Sequence, residues 1–335
     1  VLGEVAVDKA VRQKLADGEK AKAPGMKYRH YAPRAAVTVV TGTPRRSAAY
    51  IREHLPAGAG VICFDEYAHL FGGHIVHRLG AASDKLAQAQ HVFDALRTFD
   101  DTDVTAIYAQ CPDESGLGLA VSNRLKKAAG FHTVDAAPLV IGFTGPTGAG
   151  KTSALRALER LGGLVLDCDA IYHQLLRTDE ALRTALTGAF GQVFAPDGTL
   201  DRQKLGTVVF SDPAALETLN RIIYDRLPRE LLRRMDESSA PVVGIDAINL
   251  VESGLCRLCR RTVAVLAPSE QRVRRIMARD GIPEEYARLR VQAQKDDEFY
   301  RTHCTDTLFN DCADAAAFED AAYTALCNIL KEERA

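Results

Sequence analysis

A chain of 335 residues, 47% of them hydrophobic, is longer than one average domain and apolar enough to fill two cores. Lys and Arg total 42 against 44 Asp and Glu, a formal charge of −2, which argues against a broad nucleic-acid footprint while leaving room for a local basic site that takes a small anion. No apolar run reaches membrane-spanning length and no signal peptide is visible, so a soluble, cytoplasmic protein with no membrane or direct nucleic-acid partner is expected, its oligomeric state left open.

Residues 1–35 hold no periodic core pattern and end in Ala23-Pro24-Gly25-Met26-Lys27-Tyr28-Arg29-His30-Tyr31-Ala32-Pro33, where two prolines favour extended backbone. They read as a linker, and the opening on Val1 rather than Met suggests a segment of something longer. From Ala36 the pattern changes to a strand at Val37–Val40, a helix from about Ser47 to His54, and a strand at Gly60–Phe64. A helix from about Ser83 to Thr98, a strand at Val104–Tyr108 and a helix from about Gly118 to Ala129 follow. Strands alternating with helices imply a small parallel α/β sheet over 36–134.

The pattern breaks around Asp135-Ala-Ala-Pro138, and a second α/β unit is expected over 138–335. Its strands are placed at Leu139–Phe143, Gly163–Leu166, Pro241–Ile245 and Thr262–Leu266, with long helical stretches between and after them. The eight cysteines (63, 111, 168, 256, 259, 304, 312 and 327) are scattered, which suits reduced, buried thiols. Cys256-x-x-Cys259 has no second Cys or His pair at zinc-finger spacing.

The most informative stretch is Gly145-Pro-Thr-Gly148-Ala149-Gly150-Lys151-Thr152, which fits G-x-x-x-x-G-K-[ST] directly after an apolar run. Glycines let successive backbone N–H groups turn toward phosphate oxygens, the lysine reaches the terminal phosphates, and the Thr152 hydroxyl is placed to ligate Mg²⁺. Ser153-Ala-Leu-Arg-Ala-Leu-Glu-Arg-Leu161, stopped by Gly162-Gly163, reads as the helix that the loop opens, its positive end facing the phosphates. Gly145, Gly148, Ala149, Gly150, Lys151, Thr152 and Ser153 are therefore the expected ATP site.

Asp167-Cys168-Asp169 stands at the C-terminal end of the second strand of this unit, the sheet edge where ligands collect. One aspartate is expected to cap a helix beginning near Ala170 and the other to serve chemistry. Strand alternation would send both to the same side, so spacing alone does not choose between them. Asp246 ends another strand and is Walker-B-like, but Ala247 follows where a motor ATPase would carry Glu. Arg272, Arg275 and Arg279 are spaced by three and four and would share one helix face, either a solvated face or a lid over ATP. No Asn-Lys-x-Asp guanine reader exists.

From about Leu139 onward the sequence resembles the dephospho-coenzyme A kinases. The family's segments correspond to Gly191–Gly206 with Gly198-Thr-Leu-Asp201-Arg202, to Val209-Phe210-Ser-Asp212-Pro213, to Asp246-Ala-Ile-Asn-Leu250-Val-Glu252-Ser253-Gly254-Leu255, and to Arg290-Val-Gln-Ala-Gln294. The resemblance implies a P-loop NTPase-type kinase domain with a helical lid, which uses ATP and Mg²⁺ to phosphorylate the ribose 3′-hydroxyl of dephospho-CoA. It implies Asp169 as the base, Lys151 and Thr152 on ATP and Mg²⁺, and Arg275 and Arg279 as lid arginines. Asp167, Asp201, Arg202, Asp246 and Glu252 fall on the substrate side. The family's His-Pro is Tyr224-Asp225 here and its Pro-Leu is Ile248-Asn249, both on the side where the acceptor is expected.

The amino-terminal third resembles threonylcarbamoyl-AMP synthases. Pro24–Pro33 is similar to their linker, and Gly116-Leu-Gly118-Leu-Ala120-Val-Ser-Asn123-Arg124-Leu125 to the signature of their Rossmann-like accessory domain. The synthase's catalytic domain, which precedes that linker in the family, has no counterpart after Val1, and a longer gene is expected. The rival to a kinase is a nucleotide-binding regulatory or recruitment module linked to tRNA threonylcarbamoyladenosine synthesis.

Overall fold

Two separate five-stranded parallel sheets form, one in each of two units that the chain enters in turn, the first ending at Ala137 and the second starting at Pro138. The structure, a computed structural model, describes residues 32–195 and 197–333. The expected linker over 1–35 lies, up to residue 31, outside the described residues.

The first unit runs β1 (Ala36–Thr41), α1 (Pro44–His54), β2 (Gly60–Cys63), β3 (Ile75–Arg78), α2 (Lys85–Arg97), β4 (Ala106–Gln110), α3 (Leu117–Ala128) and β5 (Thr133–Asp135). The strand order is β3-β2-β4-β1-β5. Along β1, Val37 and Val39 face a cluster with Ile62, Leu96, Phe99, Ile107 and Leu125, while Val40 faces one with Ile51, Val61, Cys63 and Phe71. Both faces are thus buried, as a parallel sheet requires. Helix α1 begins three residues before the expected Ser47, because Thr43 caps it through the Arg46 N–H and Pro44 occupies its first turn. The unexpected strands β3 and β5 are the two edges, four and three residues long, too short for alternation to show in the sequence.

The second unit runs β6 (Leu139–Thr144), α4 (Lys151–Arg160), β7 (Leu164–Asp167), α5 (Cys168–Thr178), α6 (Glu180–Phe190), α7 (Arg202–Ser211) and α8 (Pro213–Glu237). It continues with β8 (Val242–Asp246), β9 (Arg261–Leu266), α9 (Ser269–Asp280), α10 (Glu284–Gln292), α11 (Asp297–His303), β10 (Asp306–Phe309) and α12 (Ala315–Glu332). The order β10-β9-β6-β8-β7 puts β6, which carries the phosphate loop, in the middle. Ile141, Phe143, Val263 and Val265 pack one face against Leu155 and Leu158 of α4 and Phe318, Leu326 and Ile329 of α12. Leu166, Val243 and Ile245 pack the other against Leu175, Leu182, Leu186 and Leu231. Each such side chain contributes about 1.5–3 kcal/mol on burial. Aspartates 167, 179, 201, 212, 296 and 314 each cap a helix by accepting a backbone N–H, roughly 1 kcal/mol apiece. Among the described residues, no helix is long and apolar enough to cross a membrane, and all eight cysteines stand unbridged, with 63, 111 and 168 buried.

Candidate active site

Strand β6 delivers the loop 145–150 to the C-terminal edge of the sheet, and α4 leaves it at Lys151. Gly145 has φ +136° and lies so close to the Val265 carbonyl that a Cβ would strike it; Gly150 has φ +108° and is closed in by the Asn310 amide. Only glycine meets both demands. The loop's outward carbonyls are taken by side chains from elsewhere in the unit. The Thr147 carbonyl accepts from Arg272 Nε at 3.1 Å, the Gly148 carbonyl from Arg275 Nη1 at 3.2 Å, and the Ala149 carbonyl from Asn310 Nδ2 at 2.7 Å and Arg275 Nη1 at 3.3 Å. Among the described residues, no protein acceptor meets the N–H groups of Gly148, Gly150, Lys151 or Thr152. These donors, with the positive end of α4 behind them, form an anion cradle.

Lys151 closes an ion pair with Asp246 at the end of β8. Asp246 is the register partner of Asp167 on β7, so two carboxylates stand side by side at the sheet edge. Burial pushes the Asp246 carboxyl upward, and Asp167 and Asp169 add to that while Lys151 opposes it. The same three carboxylates act on the Cys168 thiol, which burial first and their charge second push up to about 12. The structure therefore brings Lys151, Asp167, Asp169 and Asp246 together, three negative charges against one positive.

Asp167 and Asp169 do not follow strand alternation, which corrects the sequence expectation. The strand stops at Asp167, which accepts the Ala170 N–H at 2.9 Å as helix cap, and α5 begins at Cys168 rather than near Ala170. Asp169 lies in the first helical turn, exposed, and it is Asp167, not Asp169, that caps the helix. One turn on, at helical spacing from Asp169, His173 meets Arg202 Nη2 at 3.1 Å, so Arg202 joins the α5 face that carries Asp169. Asp201 uses its carboxylate on the Lys204 N–H. Glu252 is exposed and faces Tyr224, whose phenol is raised by burial and by Glu252 and is hydrogen-bonded by Asn249. Two of the positions that break the family pattern, Tyr224 and Asn249, are thus neighbours.

The arginines also depart from expectation. Arg272 is 4% exposed and fastened to the loop, so the three do not form one lid face. Arg275 is tied to the loop carbonyls and to Asn310 Oδ1 at 3.2 Å. Arg279 alone reaches outward, paired with Asp280 on the same helix. Asn310 and Gln294 are loop-holding residues without a role in the sequence reading: Asn310 is a single polar residue after a short edge strand, and Gln294 was only the end of a motif.

Comparison with known proteins matches residues 139–315 to the family model for dephospho-CoA kinase. The chain belongs to the dephospho-CoA kinase family. A dephospho-CoA kinase of Dehalococcoides mccartyi is 34% identical over 185 residues, covering 54% of this chain and 91% of that one. One from Thermus thermophilus is 35% identical over 173 residues, covering 52% and 83%. The solved structure of TT1252 from Thermus thermophilus is 33% identical, covers 58% of this chain and 97% of its own, and has a TM-score of 0.49. Residues 2–130 match the model for the C-terminal domain of threonylcarbamoyl-AMP synthase, so a synthase-type accessory region precedes the dephospho-CoA kinase unit. As a member of this family the chain is a kinase, a transferase that binds ATP.

Proposed function

We propose that the unit over 138–335 transfers the γ-phosphoryl group of ATP to the ribose 3′-hydroxyl of dephospho-CoA, giving CoA and ADP, and that residues 36–134 form an accessory domain outside the chemistry. The observation that carries the residue assignment is the placement of Asp167, Asp169 and Asp246 with Lys151 at the head of the N–H cradle.

The N–H groups of Gly148, Gly150, Lys151 and Thr152 hold the β- and γ-phosphates, and Lys151 exchanges Asp246 for a phosphate oxygen. Asp169, whose carboxylate is not spent on a cap, orients the acceptor hydroxyl and takes its proton as the oxygen–phosphorus bond forms and the bond to ADP breaks. Arg202 and Glu252 lie on the acceptor side, and Arg279 supplies positive charge to the transferring group. An excess of carboxylate over ammonium and the Thr152 hydroxyl make an all-oxygen donor set that suits Mg²⁺. Asp167, Asp169 and Asp246 share the sheet edge, but among the described residues no three acidic, His or Cys groups come close enough together to hold a cation by themselves, so Mg²⁺ there would take one or two protein oxygens and the phosphates. When bound, Mg²⁺ neutralises phosphate charge. The reaction belongs to the cytoplasm and needs no nucleic acid.

ADP release measured with and without dephospho-CoA tests this reading. A strong dependence on the acceptor, with the new phosphate on the 3′-oxygen, is expected. Acceptor-independent hydrolysis, or nucleotide binding without turnover, would favour a regulatory module instead.

A further inference from the structure

Thr147 is held at every polar atom it has. Its N–H donates to Gln294 Oε1 at 3.0 Å, its Oγ1 accepts from Gln294 Nε2 at 2.7 Å, and its carbonyl accepts from Arg272 Nε at 3.1 Å. The ring closes because Arg272 Nη2 donates to the same Gln294 Oε1 at 2.6 Å. Three elements distant in sequence meet there: the phosphate loop, the start of α9, and the residue two beyond the end of α10.

Several features show that this ring is more than packing. A guanidinium buried to this depth is costly unless its donors are satisfied, and here the partners are neutral oxygens rather than a carboxylate. Among the described residues no carboxylate hydrogen-bonds it, Asp297 acts on it only through space, and its positive charge stands directly behind the loop read as receiving polyphosphate. The ring also holds the Thr147 carbonyl away from the cradle, as Arg275 and Asn310 do for the next two carbonyls. Without these donors the loop could turn a carbonyl inward, where it would repel a phosphate.

We infer that Gln294 and Arg272 are positioning residues for ATP, closing a ring on Thr147 that keeps the phosphate loop in its phosphate-receiving form and fixes the root of α9. The inference rests on the reading of the loop as the ATP site. Arg279 lies seven residues further along the same helix, about 10 Å at 1.5 Å per residue. The anchored end and the charge-bearing end of α9 are thus separate, and movement of Arg279 toward ATP does not require the ring to open.

The test is a double-mutant cycle between Thr147→Val, which removes only the hydroxyl, and Gln294→Ala, read as KM for ATP, KM for dephospho-CoA and ADP affinity by calorimetry. Gln294→Ala should raise KM for ATP by about tenfold, the size of a contact worth 1.4 kcal/mol, and leave KM for dephospho-CoA within about twofold. Thr147→Val should have a smaller effect in the same direction, and the double variant should be no worse than Gln294→Ala, because the hydroxyl has lost its partner already. Gln294→Glu keeps an acceptor for both the Thr147 N–H and Arg272, so it should recover part of the ATP KM. Additive effects, equal rises in both KM values, or an unchanged KM for ATP would overturn the inference. If the parent chain fails to phosphorylate dephospho-CoA, the functional reading falls, while the ADP affinities still decide whether the ring positions the loop.

Discussion

The ammonium of Lys151 is held by the carboxylate of Asp246, so the loop's cation is neutralised by the residue that ends the neighbouring strand. An incoming phosphate has to displace that carboxylate, which burial already makes a reluctant anion. Asp246→Asn keeps the shape and removes the competitor. In the absence of divalent cation, ADP should bind severalfold more tightly by calorimetry, whereas kcat should fall at least about tenfold as an oxygen ligand and a charge are lost. Unchanged values for both would remove Asp246 from the working site.

The two neighbouring aspartates should respond differently. Asp169→Asn should lower kcat by orders of magnitude while ATP affinity stays within a few-fold, because asparagine cannot take the proton. Asp167→Asn should be mild, since asparagine caps a helix about as well as aspartate. Steady-state kinetics on the pair decides, and the opposite ranking would make Asp167 the base.

Of Arg272, Arg275 and Arg279, only Arg279 makes no bond to the phosphate loop, and it pairs with Asp280 on its own helix. Removing it as Arg279→Ala should cost about a hundredfold in kcat, the range for losing one charge contact in the transition state, with the thermal midpoint unchanged. Normal turnover in that variant would leave it a surface ion pair.

Within α8, Arg233 first and Arg234 second hydrogen-bond the Glu230 carboxylate and hold it down to about 2, from an ordinary 4.5. A carboxyl lowered in the folded state contributes stability that is complete above pH 4.5 and is lost as the pH falls toward about 2. Glu230→Gln should flatten that limb of the acid-unfolding curve, followed by circular dichroism. A parallel limb in both proteins would show that the triad contributes nothing to acid stability.

What the sequence makes legible follows from how local each signal is. Strand, glycine turn, Lys-Thr and helix lie within 22 consecutive residues from Leu139 to Arg160, so the strand-loop-helix unit can be read before any tertiary contact is known. The split between Asp167 and Asp169 depends on whether β7 ends one residue earlier or later, and strand periodicity does not resolve that. Spacing of three and four placed Arg272, Arg275 and Arg279 on one face correctly as geometry, but it says nothing of what the face touches, and the loop takes two of them. Asn310 and the strand before it lie at a sheet edge, where four residues with half-exposed side chains carry almost no pattern.

Helix α12, which packs Phe318, Leu326 and Ile329 onto α4, has a consequence for the order of events during synthesis. The first unit has its last strand, β5, by Asp135, and so can close its sheet while the rest is still being translated. Helix α4 emerges early in the second unit but lacks its covering surface until residues beyond 315 have left the ribosome. During that interval Leu155 and Leu158 remain uncovered, and the growing chain offers chaperones a sticky, immature helix.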